Sequence, residues 1–125
     1  MKPVELIAVG HAPPSVPVLG TRRSRRTVAP MSVRYRYGQW WRQITVPAGF
    51  VHNGPSIPPW LEWLEPRTNA MYRAAVLHDY LYVQRAVPRL EADAAYLAIL
   101  AHDGVDSLSR LLHLLAIRVA GYFYW

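Results

Sequence analysis

The chain has 125 residues, room for one domain of ordinary size, and its 52% hydrophobic content with five Trp and eight Tyr excludes a wholly disordered polypeptide. With no cysteine, a disulfide scaffold, a thiolate zinc site and a cysteine nucleophile are excluded as well. The net charge of +6 is unevenly placed: residues 1–42 hold eight basic residues against Glu5 alone, a balance of +7, whereas residues 43–125 hold six arginines against seven acids, a balance of −1.

Residues 1–30 contain Pro3, Pro13, Pro14, Pro17 and Pro30 with Gly10 and Gly20. Prolines at this density remove backbone donors and prevent a long helix, which predicts an extended basic arm ahead of a single globular domain at 31–125. Arg22, Arg23, Arg25 and Arg26 make one dense cationic spot in that arm. A weakly apolar start precedes the charges, the reverse of a secretory signal, so no signal peptide is expected.

From Ser32 to Gly38 apolar or aromatic residues alternate with polar ones, the period of a half-buried strand. Gly38-Gln39 makes a turn and Trp40 to Val46 the return strand, predicting a β-hairpin over 32–46. Pro47 to Pro59, with four prolines and two glycines in thirteen residues, reads as a loop, and a short helix follows from Pro59. Asn69 to Tyr82 and Leu90 to Ala101 each place apolar residues at helical spacing. Gly104 sits where a glycine stops a helix, and Asp106 can cap a last helix running through Leu111 to Val119. The fold class is therefore α+β: arm, hairpin, Pro/Gly loop and three main helices, the central two antiparallel because a short loop joins them. The apolar stretch from Leu111 to Trp125 has 15 residues and is interrupted by His113 and Arg118, whereas a membrane span needs roughly 20. It reads as a core helix, or as an interfacial one through Tyr122-Phe-Tyr-Trp125.

The stretch richest in chemistry is Arg73-Ala-Ala-Val-Leu-His-Asp-Tyr-Leu-Tyr82, with Glu91-Ala-Asp93 on the next helix. His78 and Tyr82 share a helix face, and Asp79 is rotated from them by about 100°. An acid early in the second helix can meet a histidine late in the first, so Asp93 or Glu91 can hold His78 in one tautomer and make it a general base for water. Asp79 is then free to bind a hard cation with carbonyls of the 47–59 loop. The plainer alternative is a His-Asp pair bonded to loop backbone beside core tyrosines. His52 is a candidate metal ligand or a local hydrogen-bonder, while His11, His102 and His113 show no ligand spacing. Trp40, Trp41, Trp60 and Trp63 cover the helices or form an exposed partner surface, since Trp and Arg dominate interface energetics.

Gly49-Phe-Val-His-Asn-Gly-Pro-Ser-Ile-Pro58, Ala-Ala-Val-Leu-His-Asp-Tyr-Leu-Tyr82 and Glu91-Ala-Asp93 resemble the successive signature blocks of a family of small phage and prophage proteins of unknown function, over roughly residues 32–122. That family usually has Thr-Asp where this chain has His52-Asn53, and Ala where it has Pro55. The resemblance implies a phage-encoded assembly component, in the virion tail or neck or in the host cytoplasm, with other phage structural proteins or further copies of itself as partners. The arm, through Arg22, Arg23, Arg25 and Arg26, would make the attachment; nucleic acid and an anionic membrane surface are the other partners arginine can serve. More distantly, His78-Asp79-x-x-Tyr82 with the later Asp93 is similar to the paired active-site helices of phospholipases A2. That similarity implies a lipid or ester hydrolase in which His78 activates water, Asp79 binds calcium, and Tyr82 and Asp93 support the histidine. The glycine-rich calcium loop of those enzymes is not recognisable in Gly49 to Ser56.

Overall fold

The computed structural model describes residues 2–20, 24–52 and 69–124, with side chains in the last segment described over 72–119. Among these residues the chain forms β1 (Val4–Val9), β2 (Ser15–Pro17), β3 (Arg25–Thr27), β4 (Met31–Tyr37), β5 (Trp40–Val46), β6 (Val51–His52), α1 (Asn69–Gln84), α2 (Arg89–His102) and α3 (Ser107–Tyr124). The α+β class is as the residue patterns predict. The short helix expected from Pro59 lies outside the described residues.

The hairpin forms where the alternation places it. β4 and β5 pair antiparallel from Met31↔Val46 to Tyr37↔Trp40, and Gly38 takes the turn with φ 60°, a left-handed conformation that glycine adopts without a Cβ clash. Alternate residues Met31, Val33 and Tyr35 are buried. Such side chains each contribute roughly 1.5–3 kcal/mol through apolar area removed from water.

The described residues among the first thirty are extended, and they lie on the domain instead of projecting from it. β1 pairs antiparallel with β4 and gives a sheet of order β1-β4-β5, while β2, β3 and β6 make a second small sheet. The reason is local: Val4 to Ala12 is free of proline, so this run keeps every backbone donor a ladder needs, and Val4, Leu6 and Val9 pack against the core. Thr27 anchors the second sheet, donating from Oγ1 to the Pro47 carbonyl at 2.9 Å and accepting from the Phe50 amide at 3.1 Å.

The helices meet the predicted boundaries closely. Gly104, with φ 87°, follows the end of α2, and Asp106 caps α3 by accepting from the Ser109 amide at 3.0 Å and from its hydroxyl at 2.7 Å. Arg73 near the start of α1 pairs with Asp103 just past α2, and His78 later in α1 reaches Asp93 near the start of α2, so the two helices run antiparallel. Leu77, Leu81, Tyr96, Ile99 and Leu100 from this pair close the core against Met31, Val33, Tyr35 and Val46 of the sheet, and Ile117 joins it from α3.

Candidate functional site

α2 carries two fully buried carboxylates, Glu91 and Asp93. Two residues along a helix turn the side chain by about 200°, so the pair looks in opposite directions. Glu91 faces the sheet: Tyr35 donates its hydroxyl to Oε2 at 2.7 Å, and Arg42 reaches Oε2 from Nε at 3.1 Å and Oε1 from Nη2 at 3.2 Å. Asp93 faces the helices, and it is this acid that meets the histidine.

His78 Nε2 lies 2.8 Å from Asp93 Oδ1, the Tyr82 hydroxyl donates to the same oxygen at 2.7 Å, and Arg118 Nη1 of α3 donates to Oδ2 at 3.0 Å. Burial by itself would raise the Asp93 carboxyl; the hydrogen bonds from His78, Tyr82 and Arg118 outweigh it and hold the group below the ordinary aspartate value. An ionised carboxylate only accepts, so His78 donates from Nε2 and its remaining lone pair sits on Nδ1. Burial first, and the bond to Asp93 after it, push the Tyr82 phenol up to about 12, so it remains a donor. The ring of His78 packs on Tyr82 at 4.1 Å and on Tyr96 at 5.0 Å between centroids, which limits its rotation. His78 is buried with 7% of its surface exposed, and Asp93 is fully enclosed.

Arg89 completes the network. Its Nε donates to the Tyr82 hydroxyl at 3.3 Å, lies 3.9 Å from Asp93 Oδ2, and its Nη2 donates to the Arg118 carbonyl. Neither Arg89 nor Arg118 is singled out by the sequence motifs. The available signal is the charge of Arg118 inside an otherwise apolar helix, since a cation kept among leucines needs a buried partner. His113, without a role in the sequence reading, is fully buried with Nδ1 2.8 Å from the Tyr96 hydroxyl.

The remaining candidates separate from this centre. Asp79 is half-buried on another face of α1 and, after burial itself, is the charge that raises the Tyr96 phenol. The described residues contain no group of three His, Asp or Glu side chains placed to hold a metal ion, and residues 53–59 of the loop whose carbonyls were expected to join Asp79 lie outside the described residues. His52 is buried in β6 with Nε2 3.1 Å from the Tyr72 hydroxyl, the local hydrogen-bonding reading. Burial, then the charge of Arg25, push its imidazole below the ordinary value. Arg25 and Arg26 are exposed on β3, Arg25 donating to Ser15 Oγ at 2.7 Å and to its carbonyl at 2.9 Å. Arg22, Arg23, Asn53, Pro55, Trp60 and Trp63 lie outside the described residues. Trp40 and Trp41 are 54% and 65% exposed, with Arg42 and Arg36 over their respective rings, so these two form surface and do not cover the helices.

Fold and site together define a small α+β domain with a buried His-Asp pair held between antiparallel helices. The chain belongs to the DUF1353 family of proteins of unknown function, whose model matches residues 28–117. That span contains His78, Tyr82, Arg89, Glu91 and Asp93 and stops one residue short of Arg118. No curated protein and no solved structure matches the chain.

Proposed function

We propose that this protein is a hydrolase in which His78 acts as general base toward water and an ester is the substrate. The observation that carries the reading is the 2.8 Å approach of His78 Nε2 to a buried, ionised Asp93. The carboxylate orients the ring and stabilises the imidazolium formed when Nδ1 takes a proton from water. The hydroxide attacks the ester carbonyl, the C–O bond breaks, and the imidazolium returns the proton to the departing alkoxide, leaving a carboxylic acid and an alcohol. Lipid esters are the favoured class because His78, Asp79, Tyr82 and Asp93 resemble the phospholipase A2 helix pair; by that resemblance Asp79 would serve calcium, and none of the steps above depends on it. The test is hydrolysis of short-chain nitrophenyl esters and of phospholipid micelles by the full chain, with and without calcium. Turnover should fall by about 10²–10⁴ in His78→Ala. Absence of turnover in the parent chain, or turnover that His78→Ala leaves intact, overturns the proposal.

A second reading is favoured by the exposed Trp40 and Trp41 with arginines stacked on them, a composition typical of binding hot spots. On it the protein is a phage-encoded assembly component, virion-associated at the tail or neck, docking to neighbouring structural proteins through this surface and its N-terminal segment. A Trp40→Ala, Trp41→Ala double variant should be missing from purified particles while staying folded. Unaltered incorporation would remove this reading and leave the first untouched.

A further inference from the structure

The outer face of α3 is apolar. Helical geometry puts Leu108, Leu111, Leu115 and Val119 within an arc of roughly 80°, and they are 66%, 52%, 54% and 48% exposed. On the opposite side of the same helix His113, Ala116 and Ile117 are buried. The usual pattern of polar residues toward water is therefore absent here: α3 buries one apolar face and presents a second. Beside the exposed leucines, a groove of about 430 Å³ runs between α2, α3 and the start of β1, floored by Ala94, Ala98 and Ala101 and edged by Lys2, Arg110 and Leu111. It is lined by neither His78 nor Asp93.

Charge selects the occupant. No carboxylate lines the groove, and Arg110 and Arg118 are the charged residues of α3. Asp106, at the capping position before the helix, already accepts two bonds from Ser109. A second copy seated on this groove would bring Lys2 and Arg110 of both chains together, with no carboxylate in the lining to pair them. A leucine face bordered by cations suits an anionic lipid surface, where the leucines enter the boundary between headgroups and acyl chains and the cations remain among the phosphates.

We propose that α3 seats the protein on anionic lipid bilayers through Leu108, Leu111, Leu115 and Val119, with Arg110 and Lys2 contacting the headgroups. No described helix is long and apolar enough to cross a membrane, so the helix lies along the surface. This inference stands apart from the hydrolase reading, because binding needs neither His78 nor turnover.

The test is co-sedimentation of the full chain with phosphatidylcholine vesicles, with and without phosphatidylglycerol, at low and high salt. The parent chain should bind the vesicles containing phosphatidylglycerol and lose most of that binding at high salt. Leu111→Ser with Leu115→Ser should weaken binding by at least about tenfold, with the thermal transition retained, since both side chains are already half in water. Arg110→Gln should weaken binding to anionic vesicles alone. A parent chain that ignores both vesicle types, a double variant that binds like the parent, or a dimer of the parent that the double variant converts to monomer would each overturn the proposal.

Discussion

The two carboxylates of α2 are a natural experiment in what a buried acid can do. Glu91 and Asp93 are equally inaccessible and two residues apart, yet their partners differ in kind. Glu91 is enclosed by the Arg42 guanidinium and the Tyr35 phenol, and burial with the Glu91 bond pushes that phenol well above its usual range. The raised phenol keeps its proton near neutrality, and Glu91 joins α2 to the sheet. Asp93 has a histidine as one of its partners, and a histidine can take up and release a proton at neutral pH. Burial and hydrogen bonding are common to the two acids; the titratable partner distinguishes them.

The largest expected effect tests the sheet side as a whole. Deleting residues 1–30 removes β1 from β4, the strand that carries Tyr35, and takes away the Gly10 carbonyl to which Arg73 donates at 3.0 Å. The truncated chain should lose its cooperative thermal transition; a truncation that melts like the parent would show that residues 31–125 stand alone.

Next in size are the carboxylates themselves. Glu91→Ala should cost about 3–5 kcal/mol in urea unfolding, because it strands a buried phenol and a mostly buried guanidinium. Asp93→Ala should cost less, about 2–3 kcal/mol, since Arg118, with its side chain 39% exposed, can turn to water. Equal costs would erase the distinction drawn between the two acids.

Acidification should sharpen it further. The Asp93 carboxyl titrates lower in the folded chain than its ordinary 3.8, so the unfolded chain binds the proton first. Its contribution to stability is present above about pH 4 and lost as pH falls through the folded value. His52 acts at higher pH with the same sign: its folded value is below 6.5, so stability should decline as pH drops below about 6.5. Melting curves of the parent, Asp93→Asn and His52→Gln across pH 3–8 would separate the two, each variant flattening its own window.

The smallest effect compares the two phenols. Tyr35→Phe and Tyr82→Phe each remove one donor to a carboxylate that keeps other partners, at about 1 kcal/mol apiece. Only Tyr82→Phe should change ester hydrolysis, if hydrolysis is found, since Tyr35 touches the acid that faces away from His78.

Much of this was legible beforehand. Alternation from Ser32 to Gly38 marks the hairpin, apolar spacing marks α1, α2 and α3, and the four-residue step from His78 to Tyr82 places both on one helix face. What spacing leaves open is which acid of Glu91-Ala-Asp93 they meet. That depends on how α2 rolls against α1, which is settled by Ala92, Ala95, Tyr96 and Ile99 packing into the core. The strand β1 was hidden for another reason: prolines on both sides make the whole segment read as an arm, and its short proline-free run pairs with residues some thirty positions away. Arg118 was hidden because its partner is 25 residues distant on a different helix.

The sequence alone determined the α+β class, the bounds of the hairpin and of the first two helices and the residue types able to form a proton-transfer pair, because these follow from local periodicity and from side-chain chemistry. Tertiary structure decided three other matters: that Asp93 and not Glu91 holds His78, that Val4–Val9 is laid onto the sheet, and that Leu108, Leu111 and Leu115 of α3 face outward. Each depends on how elements far apart in sequence pack around one core, and no local pattern carries that information.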